Sequence, residues 1–148
     1  MKYERRYLLK FETFNLHPAV AAGITAAGYE TPTPIQEQAM PHVLNQKDVM
    51  GLAQTGTGKT AAFALPILNR LMKSKKSGIR ALVIAPTREL AEQIHNSFET
   101  LGQKTRLRSV AVYGGVGINP QIQKLRRADI LVACPGRLRD PLGRRPPD

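Results

Sequence analysis

The sequence predicts an α/β fold with a doubly wound, mostly parallel sheet. Four short apolar runs alternate with stretches of helical length, and each run is apolar throughout rather than on alternate positions. Such runs are typical of strands buried on both faces, and a helix between consecutive runs is the usual crossover between parallel strands. The predicted strands cover residues 48–53, 81–85, 109–113 and 129–134, and the predicted crossover helices cover 59–73, 87–101 and 120–127.

Glycine and proline positions set the boundaries of the helices. Gly102 is predicted to end the second crossover helix. Asn119 is predicted to cap the third, with Pro120 at its first position. Pro66 lies inside the first crossover helix, where we expect a kink or a break. Upstream, residues 18–27 and 34–44 predict two further helices outside the sheet, the second interrupted at Pro41.

The composition is that of one globular domain with a strong positive charge. The 148 residues contain 22 Lys and Arg against 11 Asp and Glu, a net charge of +11. A polyanionic partner would suit this charge, although a soluble domain can carry basic faces without one. The only cysteine, Cys134, cannot form an internal disulfide, and the chain has neither a signal-peptide pattern nor an apolar run of about 20 residues. We therefore expect a cytoplasmic protein with no membrane partner.

A phosphate-binding loop is predicted between the first strand and the first crossover helix. Ala53-Gln-Thr-Gly-Thr-Gly-Lys-Thr60 has the glycines that let backbone N–H groups converge at a helix N-terminus. Lys59 would reach the phosphates, and the hydroxyl of Thr60 would bind Mg²⁺. Ala53 replaces the usual first glycine, and a plain glycine-rich turn before a helix is the alternative. The loop alone does not distinguish kinases, GTPases, transporters and helicases.

Five segments, in order, resemble those of DEAD-box ATP-dependent RNA helicases of the bacterial type. Phe11 and Gly28-Tyr-Glu-Thr-Pro-Thr-Pro-Ile-Gln36 resemble the Q motif, and residues 53–60 resemble this family's phosphate loop. The other three resemblances are those of Pro86-Thr-Arg-Glu-Leu-Ala91 to motif Ia, of Gly114-Gly115 to the glycine doublet, and of Cys134-Pro-Gly-Arg137 to motif Ib. Motif Ib usually begins with Thr rather than Cys. The resemblance implies a RecA-like P-loop domain.

The resemblance also implies that the chain binds ATP or ADP with Mg²⁺. It places Lys59 and Thr60 at the catalytic site, with Thr60 holding Mg²⁺ through the nucleotide. The amide of Gln36 offers a donor and an acceptor together, which match the N6 and N7 atoms of adenine, and Phe11 offers a flat apolar face. Alternatively, Thr33-Pro34 only caps a helix and Phe11 only belongs to the core. The implied nucleotide contacts are Phe11, Tyr29, Thr31, Gln36, Thr55, Gly56, Thr57, Gly58, Lys59 and Thr60.

RNA is the implied partner, as a single strand or a duplex bound through its phosphate backbone. The implied contacts follow three predicted strands, where a doubly wound sheet forms its ligand crevice. They are Pro86, Thr87, Arg88, Gly114, Gly115, Pro135, Gly136 and Arg137. The alternatives are that Thr87 is an N-cap, that Arg88 pairs with Glu92 and that Arg137 pairs with Asp140.

The family's Asp-Glu-Ala-Asp and Ser-Ala-Thr motifs do not occur in the sequence. We expect a RecA-like domain truncated before the acidic-motif strand: residues 1–46 form the Q-motif region and N-terminal helices, 47–138 a partial ATP-binding domain, and 139–148 an atypical Pro/Arg-rich tail. Nucleotide and weak RNA binding without turnover would follow. The alternatives are a stand-alone regulatory nucleotide- or RNA-binding module and an unrelated P-loop kinase. We also expect self-association through an exposed sheet edge at the strand 48–53.

Overall fold

A computed structural model describes residues 10–114 and 117–135 of the chain. A 3₁₀ helix, Phe11–Phe14, precedes five α-helices: α1 Pro18–Ala26, α2 Pro34–Leu44, α3 Lys59–Met72, α4 Arg88–Leu101 and α5 Ile118–Leu125. The three strands are β1 Ala81–Ile84, β2 Ser109–Val112 and β3 Ile130–Ala133. The predicted tail, residues 139–148, lies outside the described residues.

The three strands form a parallel sheet in the order β1-β3-β2. The chain passes from β1 over β3 to β2 and then returns to β3, so its two crossovers run in opposite directions. Right-handed crossovers in opposite directions place their helices on opposite faces of a sheet. Ile94 and Phe98 of α4 share a core with Ile130 and Val132, whereas Leu125 of α5 packs against the cluster of Val110, Val112 and Ala128. The predicted doubly wound α/β fold is confirmed.

The main core lies on the α4 face of the sheet, where the N-terminal helices also pack. Val20 and Ile24 of α1 and Met40 of α2 belong to the same buried cluster as Leu65 and Leu68 of α3. The helices of the N-terminal region are therefore part of the domain's core. None of the helices within the described ranges is long and apolar enough to span a bilayer.

The crossing of α1 over α4 depends on a glycine. A Cβ at Gly23 would lie 2.0 Å from the carbonyl oxygen of Leu101. The backbones of the two helices therefore meet at this point without an intervening side chain, and both residues are buried.

The strand predicted at residues 48–53 is wrong, because this segment has irregular backbone. Its apolar side chains lie in solvent: Met50 and Leu52 are each 89% exposed. A strand requires a neighbour to take its N–H and C=O groups, and within the described residues no strand pairs with this segment. The sheet edge predicted to drive self-association is therefore also wrong in its location.

An apolar surface instead lies on β1, which forms one edge of the described sheet. Leu82 and Ile84 are 53% and 57% exposed. Their side chains point to the α5 face, where α5 covers the opposite edge strand. Self-association stays a prediction, with Leu82 and Ile84 as the surface that would carry it, and light scattering of the purified chain would test it.

Two local predictions, at Pro41 and at Asn119-Pro120, fail, and one at a glycine is confirmed. The break expected at Pro66 does not occur, whereas the kink expected there as its alternative stays a prediction. Helices α2 and α3 continue through Pro41 and Pro66, and α5 begins at Ile118 after Gly117, so Asn119-Pro120 is not its start. Pro66 is buried on a helix whose inner face supplies much of the core, and this packing offsets the one lost backbone hydrogen bond. Gly102 ends α4 as predicted, with its N–H bonded to the carbonyl of Phe98 at 2.8 Å.

Candidate nucleotide and nucleic-acid site

The predicted phosphate loop leads directly into the N-terminus of α3. Gly56 and Gly58 have φ angles of 81° and 85°, in the left-handed region that favours glycine. Lys59 reaches back across the loop, and its Nζ donates to the carbonyl of Ala53 at 2.5 Å. Because the first N–H groups of a helix have no partner within the helix, the loop and the start of α3 together can bind an anion.

Gln36 joins the N-terminal region to this loop. Its Nε2 donates to the carbonyl of Gly58 at 3.1 Å, and its Oε1 accepts the N–H of Thr33 at 3.0 Å. The side chain is 2% exposed. An amide has two hydrogens on nitrogen and two lone pairs on oxygen, so one of each remains for a base. The adenine contact predicted for Gln36 would have to use that remaining pair.

Gly58 makes this junction possible. A Cβ at this position would lie 2.4 Å from Nε2 of Gln36 and 3.0 Å from Oγ1 of Thr33. Thr33 and Pro34 also begin α2, as the capping alternative supposed. Helix capping alone does not explain the bond from Gln36 to the loop, which lies 22 positions further along the chain.

Phe11 and Tyr29 lie together beside a small cavity. Their ring centroids are 6.5 Å apart with an interplanar angle of 30°, and Phe11 is buried in the main core. A cavity of about 250 Å³ is lined by both rings together with Glu12, Thr25 and Glu30. Phe11 is thus a core residue, as one alternative supposed, and also lines a cavity. The described residues of the phosphate loop do not line it, so an adenine contact at Phe11 stays a prediction.

The residues predicted to bind RNA lie at one end of the sheet. Ile84, Val112 and Ala133 are in register at the carboxyl ends of the three strands. Pro86, Gly114 and Pro135 follow these ends and are exposed, as are Thr87 and Arg88. Gly115, Gly136 and Arg137 lie outside the described residues.

Arg88 contacts an aromatic ring instead of the acid predicted as its alternative partner. Its Cζ lies 4.8 Å from the ring centroid of Tyr113, a cation–π contact. Glu92 accepts the hydroxyl of Tyr113 at 2.5 Å, and in the described part of the chain the only salt bridge joins Arg80 to Asp129. The hydrogen bond to Glu92, with burial, raises the pKa of Tyr113 above its ordinary value. Thr87 is the N-cap of α4, since its Oγ1 accepts the N–H of Leu90 at 3.2 Å.

Tyr113 is the residue that sequence reasoning missed. The apolar pattern predicts it only as the last residue of a strand. An aromatic side chain at a strand's carboxyl end, next to the glycine doublet, nevertheless lies where ligands bind in this fold. It holds the guanidinium of Arg88 over its ring at the sheet edge.

Two of the three histidines, His17 and His95, have structural partners. The Nδ1 of His17 accepts the N–H of Ala19 at 3.1 Å, and the Nδ1 of His95 lies 2.8 Å from the hydroxyl of Ser109. Cys134 is half-buried at the end of β3. Across residues 10–114 and 117–135, no three His, Cys, Asp or Glu side chains are grouped so that they could hold a metal ion.

Known proteins resemble the chain in sequence and in structure. The family model described as DEAD/DEAH box helicase matches residues 33–146. The chain is 49% identical to the ATP-dependent rRNA helicase RRP3 of Debaryomyces hansenii, over 90% of this chain and 29% of the relative. It is 47% identical to the ATP-dependent RNA helicase CshA of Limosilactobacillus reuteri, over 92% and 27%. The chain thus spans less than a third of the length of these relatives.

A solved structure has the same fold. The crystal structure of a DEAD box protein from Methanococcus jannaschii superposes with a TM-score of 0.83 at 38% identity, covering 90% of this chain and 37% of that one. The predicted RecA-like fold is therefore confirmed. Since the family model matches well over half of the residues, the chain belongs to the DEAD/DEAH box helicase family.

Proposed function

We propose that the chain is the ATP-binding part of an ATP-dependent RNA helicase. The contact between Gln36 and Gly58 carries this proposal, because it ties the predicted adenine-reading residue to the predicted phosphate loop. A simple glycine-rich turn would not require the bond from Gln36. The names of the relatives support the same activity.

The loop residues fit the phosphates of a nucleotide, which would bring Mg²⁺ with it. The curled loop 53–60 presents backbone N–H groups at the start of α3, and the helix dipole favours negative charge there. Lys59 would exchange its bond to the Ala53 carbonyl for a phosphate oxygen, and Thr60 would hold Mg²⁺ through its hydroxyl. Thr55 and Thr57 would contribute loop N–H groups, while Tyr29 and Thr31 would close the base site.

Selection of adenine is the test of this proposal. We expect the chain to bind ADP more tightly than GDP, and Gln36→Ala to weaken ADP binding by about 1–3 kcal/mol because two hydrogen bonds are lost. Isothermal titration calorimetry with both nucleotides measures this. Gln38→Ala, an exposed glutamine of the same helix, is the matched control and should bind ADP normally. Equal affinity for ADP and GDP in the unchanged chain would refute adenine recognition.

The 148-residue chain by itself should bind ATP without RNA-stimulated hydrolysis. Hydrolysis needs a carboxylate that holds Mg²⁺ and positions water, and a cation on the transferred phosphate. The sequence supplies Lys59 and Thr60 but no Asp-Glu-Ala-Asp motif. Phosphate release measured with and without RNA tests this, and Lys59→Ala detects contaminating ATPases. RNA-stimulated release that Lys59→Ala abolishes would contradict the expectation.

RNA should bind at the carboxyl edge of the sheet through its phosphates. We expect Arg88→Ala and Arg137→Ala each to weaken single-stranded RNA binding equally for all sequences. Each lost phosphate contact should also reduce the slope of log K against log salt by about 0.7. Arg106→Ala removes the same charge at the opposite end of β2 and should have little effect. Fluorescence anisotropy over a range of salt concentrations measures both quantities, and sequence-selective loss would argue against backbone recognition.

A stand-alone regulatory module remains the second candidate. The same observations support it, because nucleotide and RNA binding without turnover is what such a module would do. A P-loop kinase is disfavoured, since it does not require Gln36 at the loop.

A further inference from the structure

A long groove follows the outer edge of β2, away from the phosphate loop. Its volume is about 1110 Å³, and β2 residues Ser109, Val110 and Ala111 form its floor. Helix α4 forms one wall on one face of the sheet, and α5 with the turn after it forms the other wall. A strand edge between two helical walls is therefore open to a ligand of extended shape.

The floor carries backbone groups that point away from the sheet. The carbonyls of Arg108 and Val112 accept N–H groups of Ile130 and Cys134, both at 3.1 Å. Because alternate residues of a strand face opposite neighbours, the N–H and C=O groups of Ser109 and Ala111 point into the groove. No other strand in the described part of the chain pairs with β2. These groups can form ladder hydrogen bonds with an added strand.

The two walls carry opposite charges. Glu92 and Glu99 lie two helical turns apart on the α4 wall, and the hydroxyls of Tyr113 and Ser109 hold their carboxylates against the strand at 2.5 Å and 3.0 Å. The other wall carries the exposed basic side chains Lys124, Arg126 and Arg127. None of these five charges forms a salt bridge within the described ranges. An occupant with basic groups on one side and acidic groups on the other would therefore meet charges of opposite sign, free of salt bridges, on both walls.

A largely buried glutamine also lines the groove. Gln121 is only 7% exposed, and its Nε2 donates to the carbonyl of Tyr113 at 3.4 Å. Its Oε1 has no hydrogen-bond partner among the described residues. A buried acceptor without a donor costs free energy. The oxygen has almost no exposed surface, so an occupant of the groove could bond to it only if the side chain rotated.

We propose that this groove binds an extended peptide with alternating basic and acidic residues, which adds a strand to β2. Successive side chains of a strand point to opposite faces, so the basic ones would face Glu92 and Glu99 while the acidic ones face the basic wall. RNA would place phosphates against the acidic wall. A second copy joined antiparallel through β2 would set acidic wall beside acidic wall. Charge complementarity therefore favours the alternating peptide over both.

The experiment uses two labelled peptides of identical composition. In Lys-Glu repeated four times, each strand face carries one sign of charge, whereas in Lys-Lys-Glu-Glu repeated twice each face is mixed. We expect the first to bind the full chain about ten-fold more tightly in fluorescence anisotropy, because only its charges match both walls while its backbone pairs with β2. Equal binding of the two peptides would overturn the proposal.

Backbone methylation tests the added strand itself. In a strand the residues of one side-chain face direct their N–H groups to the same edge. N-methylation of either all the lysines or all the glutamates should therefore abolish binding, while methylation of the other set should not. Equal effects of both would show that only charge is recognised and would overturn the proposal.

Variants of the chain locate the site. Glu99→Lys should weaken the alternating peptide about five-fold, the upper range for an exposed ion pair. Glu89→Lys, on the same helix but outside the groove, should not weaken it. Ala111→Pro removes an edge N–H without touching the ladder to β3 and should prevent binding, with a thermal melt to confirm folding. Displacement of the peptide by single-stranded RNA in the unchanged chain but not in Lys124→Glu would assign the groove to nucleic acid instead.

Discussion

Gly23→Ala should destabilise the domain by about 2–3 kcal/mol, the cost of a severe overpacking change in a core. The added Cβ would lie 2.0 Å from the carbonyl oxygen of Leu101, a backbone atom that cannot move without shifting α4. Helix α4 packs on the sheet and carries Ile94 and Phe98 of the main core, so the displacement would spread beyond the crossing. Urea unfolding followed by circular dichroism measures the change.

An exposed neighbour on α1 is the matched control for this substitution. Ala22 is the residue before Gly23, and its side chain faces solvent. Ala22→Ser adds one atom to that exposed side chain, as Gly23→Ala adds one atom at the buried position. It should alter stability by no more than about 0.5 kcal/mol. If Gly23→Ala unfolded at the same urea concentration as Ala22→Ser, the close approach of α1 and α4 would be wrong.

Gly58→Ala should lower ADP affinity at least about ten-fold, or 1.4 kcal/mol. The left-handed backbone at this position costs a residue with a Cβ about 1–2 kcal/mol. The new atom would also strike Nε2 of Gln36 and break the junction with α2. Both effects distort the loop that would bind phosphate, and calorimetric titration with ADP measures the loss.

Alanine variants of two further glycines distinguish the effect of backbone strain from that of a steric clash. Gly56→Ala adds a Cβ in a left-handed backbone with open space around it, so it should show only the strain. Gly51→Ala meets only the Cδ1 of Ile35 at 3.7 Å and should bind ADP normally. A Gly58→Ala variant that binds ADP as well as Gly51→Ala would show that the Gln36 junction does not support the nucleotide site.

Local patterns predicted most of the fold. The apolar runs of β1, β2 and β3 and the helices between them were visible because each depends on its own residues and on short-range stops such as Gly102. Residues 48–53 have the same apolar pattern and yet form no strand, because pairing depends on a partner elsewhere in the chain. The order β1-β3-β2 likewise depends on long-range contacts that periodicity does not contain.

In the candidate site, too, local features followed from the sequence and long-range contacts did not. The left-handed glycines of the phosphate loop follow from spacing, and the structure has them at Gly56 and Gly58. The partner of Arg88 did not follow from spacing, since the i to i+4 rule favours Glu92 while the structure brings Tyr113 across from the end of β2. The bond of Gln36 to the Gly58 carbonyl is also long-range, and it joins two segments that sequence reasoning had connected only through a shared ligand.

The strand order also has a consequence for biosynthesis. The central strand β3 follows both of its neighbours in the sequence, so β1 and β2 leave the ribosome before the strand that separates and pairs with them. Until residues 130–133 emerge, the backbone groups of both earlier strands lack their native partners, and Val110 and Val112, which are buried in the folded domain, remain accessible to other chains. The nascent polypeptide should thus rely on chaperones for the time needed to translate from β1 to β3.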